Sequence, residues 1–273
     1  MEIVQLEKMA NEMRKTLLRM TNRAGAGHVG GSLSEIEILA ALYFCIMKVD
    51  PLNPQWPDRD RFILSKGHSS PGYYTTLAYR GYFPLNLLDN FDNVGSPLQS
   101  HPDMHKCPGV DYSTGSLGQG VSVALGMAIA AGKLKKGFTV FTLVGDGEAQ
   151  EGQVWEALMF AAANAVKKIV FIFDANNVQL AGTNTAGTDA DSLIRKLKGF
   201  DITTLDTDGH DFNKLVPALE EAAEKSKAGP VALVARTVKG RGVSFMEGNY
   251  KWHGVAPNNE ELEKALGELE GNK

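Results

Sequence analysis

Hydrophobic positions along the chain follow first a helical period, then a repeated alternation of apolar runs and amphipathic stretches. Val4, Met9, Met13, Leu17 and Leu18 predict a first helix ending near Arg23. A glycine-rich loop, AGAGHVGGS (24–32), leads into a predicted helix from about Leu33 to Met47. The segment DPLNPQWPDRD (50–60) is too rich in proline for regular structure. Arg61-Phe62-Ile63-Leu64 reads as a short buried strand entering Lys66-Gly67-His68, and a helix follows to about Arg80. From Gly118 to Ala131 small residues dominate, predicting a buried helix that approaches a neighbour closely, within the domain or across a dimer interface. Apolar runs at 138–144, 169–173, 201–206 and 230–236 then alternate with helical patterns at 151–165 and 211–227. Such alternation predicts an α/β fold, a parallel sheet with helices on both faces. The tail holds one more amphipathic helix, and no repeat or composition break divides the chain, so a single domain is expected.

Composition narrows the function classes. With 28 basic and 32 acidic residues and a net charge of -4, no basic stripe points to nucleic acid. The N-terminal stretch is amphipathic but studded with charges, unlike a signal peptide or a membrane span. Cys45 and Cys107 lack zinc-type spacing and are expected to stay reduced in a cytoplasmic protein.

The chemistry concentrates where two apolar runs end. Phe138–Val144 ends on Gly145-Asp146-Gly147, and Ile169–Phe173 ends on Asp174-Ala175-Asn176-Asn177. In an open parallel sheet, ligands bind beyond the carboxyl ends of the strands. A carboxylate and an amide there suit a hard divalent cation, and the glycines let backbone N–H groups approach a phosphate. These residues ask for a Mg²⁺–diphosphate site. His28, His68, His101 and His253 all lie in turns punctuated by glycine or proline, which suggests a polar pocket able to shuttle protons. His105 and His210 have weaker surroundings and read as bystanders. Glu151 reads as a first-turn helix carboxylate, and Trp155, Leu158, Met159 and Ala162 as the core face of that helix. Lys66, Lys239 and Arg241 either meet phosphate or border the pocket. Residues 81–117 form a long connection expected to be functional.

Six collinear blocks resemble the thiamine-diphosphate-binding half of transketolase: AGHVGGSLS (26–34), LSKGHSSPGYYTTL (64–77), SHPDMHKCPGVDYSTGSLGQGVSVALGMAIA (100–130), GDGEAQEGQVWEA (145–157), DANNVQLAG (174–182) and VKGRGVSFMEGNYKWHG (238–254). The resemblance runs from about Arg14 to Pro257. It implies metal ligation by Asp146, Asn176 and the Val178 carbonyl, for Mg²⁺ or alternatively Ca²⁺ or Mn²⁺. It implies that Gly147 offers its N–H to the diphosphate of thiamine diphosphate, with Gly115, Leu117, Gly145 and Glu148 beside the cofactor. His68 and His253 would stand near the diphosphate and the substrate channel, while His28 and His101 would meet the sugar's hydroxyls and developing oxyanion. Glu151 matches a glutamate of the subunit interface.

The implied reaction is transfer of a two-carbon ketol unit from a ketose phosphate to an aldose phosphate. Transketolases carry a further domain that binds the aminopyrimidine, and nothing after Gly254 matches it. The resemblance therefore implies the N-terminal subunit of a split transketolase, completed by a separate C-terminal subunit in an α2β2 assembly. Other readings are a specialised sugar transketolase acting on a branched or sulfonated ketose, a deoxyxylulose-phosphate synthase, the α subunit of a 2-oxo acid dehydrogenase, a magnesium phosphohydrolase and a non-catalytic scaffold. The phosphohydrolase would not need the Asn176–Asn177 turn, and a scaffold would have lost the pocket's polar groups first.

Overall fold

A computed structural model describes residues 1–183, 187 and 189–271. Five strands form one parallel sheet: β1 (Arg61–Leu64), β2 (Val140–Gly145), β3 (Ile169–Ala175), β6 (Thr203–Asp208) and β7 (Val231–Arg236). Their order across the sheet is β1-β2-β3-β7-β6, and a small antiparallel pair, β4 (Val178–Gln179) with β5 (Gly182–Thr183), stands apart. The central strands are short apolar runs because both of their faces are covered. Successive side chains of a strand point to opposite faces, so Phe141, Leu143, Val170 and Ile172 enter one core while Val140, Val144, Phe171 and Phe173 enter the other.

The first core is closed by α1 (Ile3–Ala24), α3 (Ile36–Ala41), α4 (Ser70–Arg80) and α8 (Phe212–Lys225). The second is closed by α5 (Gln119–Lys133), α6 (Gly152–Ala163) and α7 (Ala190–Gly199). The last helix, α9 (Asn259–Gly271), packs on α1 through Ala265 and Leu269. This arrangement agrees with the α/β layers expected from the alternation.

Four expectations need correction. The helix expected from Leu33 begins earlier, as α2 (Val29–Ser34), and breaks at Glu35 before α3 and a π-helical turn at Leu42–Ile46. Ser32 and Ser34 return their hydroxyls to the carbonyls of His28 and Gly31, a pairing that bends helices. Helix α7 lay outside the predicted pattern; Asp189 caps it through the Ser192 N–H, and Leu193 and Leu197 bury its stripe. Helix α5 buries only one face, with Gly126 and Ala130 exposed on the other. Its small residues matter most at Gly120, where a Cβ would stand 2.7 Å from the Ser65 hydroxyl. Met159 is no core residue: it is 54 % exposed, beside Phe160 at 50 %, so the apolar surface of α6 is wider than the domain consumes.

The connection 81–117 is ordered by burial of Leu88, Phe91, Leu98 and Cys107, and it is anchored to β1 by Asp111. The Asp111 carboxylate accepts from Arg59 and, at 2.8 Å, from the Phe62 N–H. Cys45 and Cys107 are free thiols. No helix among the described residues is long and apolar enough to cross a membrane.

Candidate active site

Register brings the motifs together. Gly145 pairs with Asp174, Asp174 with Ala235, and Leu64 with Leu143, so the turns after β1, β2, β3 and β7 open on one side of the sheet. There a pocket of about 290 Å³ is lined by Asp146, Asn176, Val178, Lys239 and the histidines 28, 68 and 253. The strand order reverses between β3 and β7, the place where open parallel sheets bind ligands.

Asp146 ties the two central turns to each other. Its Oδ1 accepts from the Gly147 N–H at 2.7 Å, and its Oδ2 accepts from the Asn177 N–H at 2.5 Å. Asn177 holds a left-handed φ of 62°, which asparagine tolerates better than most residues. A Cβ on Gly147 would stand 3.1 Å from the Gln179 Cβ, so only glycine lets this turn close onto β4 without displacement. The Asn176 carboxamide is fixed at both ends: Nδ2 donates to Asp174 at 2.9 Å and Oδ1 accepts from the Val178 N–H at 3.1 Å. Asp146, Asn176 and the Val178 carbonyl thus offer one carboxylate, one amide oxygen and one peptide oxygen to the same pocket. That set is hard and carries a single negative charge, so it fits a divalent ion that takes its remaining ligands from phosphate oxygens and water. Among the described residues no cluster of three His, Cys, Asp or Glu side chains could hold a metal without such help.

Beneath this floor lies a buried charge cluster that the motifs did not reveal. The Lys66 ammonium stands 2.6 Å from Asp174 and 2.8 Å from Glu35, and all three are 2 % exposed or less. Asp174 also accepts from Ser34 at 2.6 Å and from Thr237. Burial alone would raise the Asp174 carboxyl and lower the Lys66 ammonium, but each holds the other in its charged form. For Glu35 burial wins over the attraction of Lys66 and pushes the carboxyl up to about 8. Lys66 lines the pocket and compensates the carboxylate that orients Asn176.

The loop histidines do converge. His28 lies 5.0 Å from His68 and 5.6 Å from His253 between ring centroids, and His68 and His253 stack at 5.1 Å. His101 stands further out, 6.4 Å from His28, on the rim. Burial lowers His28, His68 and His253 below the usual imidazole range, with neighbouring cations adding to it, and His253 falls to about 3. Lys239 donates to His253 Nδ1 at 2.8 Å and to the Val178 carbonyl at 3.0 Å. With Nδ1 taken as an acceptor, His253 carries its proton on Nε2. Burial, reinforced by Lys66, brings the Lys239 ammonium down to about 8.

The remaining expected positions divide. Gly115, Leu117, Gly145 and Gly147 line the pocket, as does Leu180, with Leu117 37 % and Leu180 69 % exposed. Glu148 lines it too, yet its carboxylate faces inward, accepting from Ser65 at 2.6 Å, Gly118 at 2.8 Å and Gly145 at 3.0 Å. Burial raises that carboxyl. Glu151 is exposed outside the pocket lining, at the start of α6. Arg241 also points away, 3.6 Å from Glu247 and half exposed. His105 is an exposed bystander, but His210 is not: its side chain is 8 % exposed and bonds to Glu37 and to the Val238 N–H.

Known proteins resemble this chain over nearly its whole length. The family model "Transketolase, thiamine diphosphate binding domain" matches residues 5–270. The chain is 43 % identical over 267 residues to the 6-deoxy-6-sulfo-D-fructose transketolase subunit SqwG of Clostridium sp. (strain MSTE9), covering 98 % of this chain and 97 % of that protein. It is 40 % identical to an apulose-4-phosphate transketolase subunit of Actinobacillus succinogenes, covering 97 % and 96 % respectively. Transketolase from Leishmania mexicana superposes with a TM-score of 0.90 at 29 % identity, over 97 % of this chain and 41 % of that one. The chain belongs to the transketolase family as its thiamine-diphosphate-binding part, and it matches relatives named as transketolase subunits over nearly their whole length.

Proposed function

We propose that the chain binds the diphosphate of thiamine diphosphate through a divalent cation, Mg²⁺ first and Ca²⁺ or Mn²⁺ as substitutes, on Asp146, Asn176 and the Val178 carbonyl. The bridge that Asp146 makes between the Gly147 and Asn177 N–H groups carries this reading, because it builds one oxygen-lined floor from two strand ends. Lys239, which lines the pocket, neutralises diphosphate oxygens there. When bound, the cofactor supplies a nucleophilic carbanion and an electron sink for cleaving the bond beside a ketose carbonyl.

The chain's own residues do the rest. His253 presents its Nε2–H as a donor toward the substrate side, because Lys239 occupies Nδ1. His28 and His68, kept neutral by burial, accept or donate protons at sugar hydroxyls, and His101 on the rim meets the hydroxyls further out. Leu117 and Leu180 shield the mouth of the pocket. Glu151, exposed and close to Gly118, belongs to the subunit interface in this reading.

We assign the whole chain to one diphosphate-binding domain and the aminopyrimidine-binding domain to a separate C-terminal subunit, in a cytoplasmic α2β2 assembly acting on sugar phosphates of the pentose phosphate type. Subunit-named relatives covered to 97 % and 96 % support the division, as do the free thiols for the compartment. A second reading, transfer from a sulfonated or branched ketose, is favoured by the names of those same relatives.

The test is two-carbon transfer from xylulose 5-phosphate to ribose 5-phosphate with Mg²⁺ and thiamine diphosphate, by the chain alone and with its candidate partner subunit. Activity only in the mixture is expected. Activity of the chain alone would refute the division between subunits. Cofactor binding without turnover, restored by 6-deoxy-6-sulfo-D-fructose or a branched ketose phosphate, would select the second reading.

A further inference from the structure

The turn after β7 carries Lys239 into the pocket, and it is gripped from behind at two points. At one end the Val238 N–H donates to His210 Nε2 at 2.8 Å. At the other the Arg241 carbonyl accepts from Arg14 Nε at 3.1 Å. The two grips join through Glu37, which accepts from His210 Nδ1 at 3.0 Å and from Arg14 at 2.5 and 2.6 Å. Arg14 comes from α1, Glu37 from α3 and His210 from the turn after β6, and their side chains are only 7–8 % exposed. The turn has little slack of its own: the Gly240 N–H donates to the Gly30 carbonyl at 2.9 Å, and a Cβ on Gly240 would stand 2.4 Å from the Met246 carbonyl oxygen.

Because Val238 donates to Nε2, that nitrogen is the acceptor and the ring proton sits on Nδ1, facing Glu37. Arg14 compensates the Glu37 charge, so the chain Arg14–Glu37–His210 fixes a single imidazole tautomer. We infer that His210 is a positioning residue for the cofactor site: it holds the β7 turn so that Lys239 meets the Val178 carbonyl and His253. His210 itself touches neither the pocket nor its proposed metal ligands. This inference rests on the proposed role of Lys239 beside the diphosphate.

The experiment compares wild type, His210→Ala and His210→Gln, each as the full chain with its partner subunit. Losing a buried acceptor leaves the Val238 N–H unpaired, so His210→Ala should weaken thiamine diphosphate binding about tenfold. Turnover at saturating cofactor should fall less than affinity does, because His253 keeps its place in the pocket and loses only the aim that Lys239 gives it. Amide exchange across 237–241 in the free chain should speed up in His210→Ala. His210→Gln, whose amide oxygen can accept from Val238, should restore both affinity and protection. Unchanged exchange or affinity in His210→Ala, or no rescue by glutamine, would overturn the inference. Should the alanine variant not fold, long-range ¹H–¹⁵N spectra of the wild type still decide, since a proton on His210 Nε2 overturns it. Failure of the wild type to bind thiamine diphosphate would instead sink the cofactor reading, leaving the clamp to be judged by exchange and tautomer.

Discussion

Lys66→Met removes the ammonium of the buried cluster beneath the site while keeping most of its stem. In the wild type that ammonium lies 2.6 Å from Asp174 and 2.8 Å from Glu35, and neither carboxylate side chain has any exposed surface. Breaking a buried pair by deleting one partner costs about 3–5 kcal/mol, because the surviving charge cannot return to water. For a chain of 273 residues each kcal/mol moves the melting midpoint by about 2 °C, which predicts a loss of about 6–10 °C. The loss should depend on pH, and its sign follows from the two carboxyls. Glu35 is raised to about 8, so its contribution to stability is present below the ordinary carboxylate value and fades as pH rises through about 8. It is largely neutral near pH 7 already, and the charge stranded by the variant is that of Asp174. In the wild type Asp174 is lowered chiefly because Lys66 outweighs the cost of burial, so its contribution is present above the ordinary carboxylate value. Without Lys66 that sign reverses, and the Asp174 charge becomes a penalty relieved by protonation. The gap between wild type and variant should therefore be wide at about pH 8 and narrower at about pH 5.5. Thermal and urea melts at both values test this. A gap below about 1 kcal/mol, or one of equal size at both values, would refute the reasoning.

Asp146→Ala should lower thiamine diphosphate affinity in Mg²⁺ by more than about 100-fold, read by calorimetry with the partner present; near-normal affinity would remove Asp146 from the metal set. Gly67→Ala places a Cβ 2.6 Å from the Thr114 carbonyl carbon and 2.7 Å from the Gly115 nitrogen. Overpacking against backbone should cost about 1–3 kcal/mol in a urea melt, and unchanged stability would mean that the 114–115 loop yields freely. His253 is lowered to about 3 from its ordinary 6.5, so its contribution is present above 6.5 and is lost as pH falls toward 3. His28 and His68 are lowered as well, so the three histidines pull the melting midpoint down on acidification below about pH 6.5, while the raised carboxyls of Glu35, Glu148 and Asp60 pull the other way. His253→Gln should flatten that slope, and an unchanged slope would show that His253 is not the group titrating.

What could be read from the sequence was local. Gly145-Asp146-Gly147 and Asp174–Asn177 stood out because each ends a short apolar run, and the pairing of Gly145 with Asp174 in adjacent parallel strands makes one floor of two motifs. His28, His68 and His253 were marked by glycine around them, and they do share the pocket. The break at Glu35 was hidden because Ile36, Ile38 and Leu39 continue a plausible helical stripe. It follows from where Glu35 must point, inward to Lys66. Met159 failed for a related reason: its spacing from Trp155 and Ala162 is right for a core face, but spacing cannot tell which apolar stripe the domain itself will cover.

The pairing of Lys66 with Asp174 and that of His210 with Glu37 were illegible for a stronger reason than spacing. Lys66 and Asp174 are 108 positions apart, and His210 and Glu37 are 173 apart, so no local pattern distinguishes them from a border lysine or an exposed histidine. Their importance comes from burial together with a partner. A charged or polar group loses several kcal/mol on leaving water unless another group replaces it, so each implies its partner once the fold is known. The motif residues offer oxygen and nitrogen atoms to a ligand. The buried residues behind them determine which atoms are offered, as Asp174 does for the Asn176 amide. Substituting the motif residues should abolish binding, whereas substituting the buried supports should weaken it in a graded way that a conservative replacement restores. That difference separates the residues that touch the ligand from those that aim them.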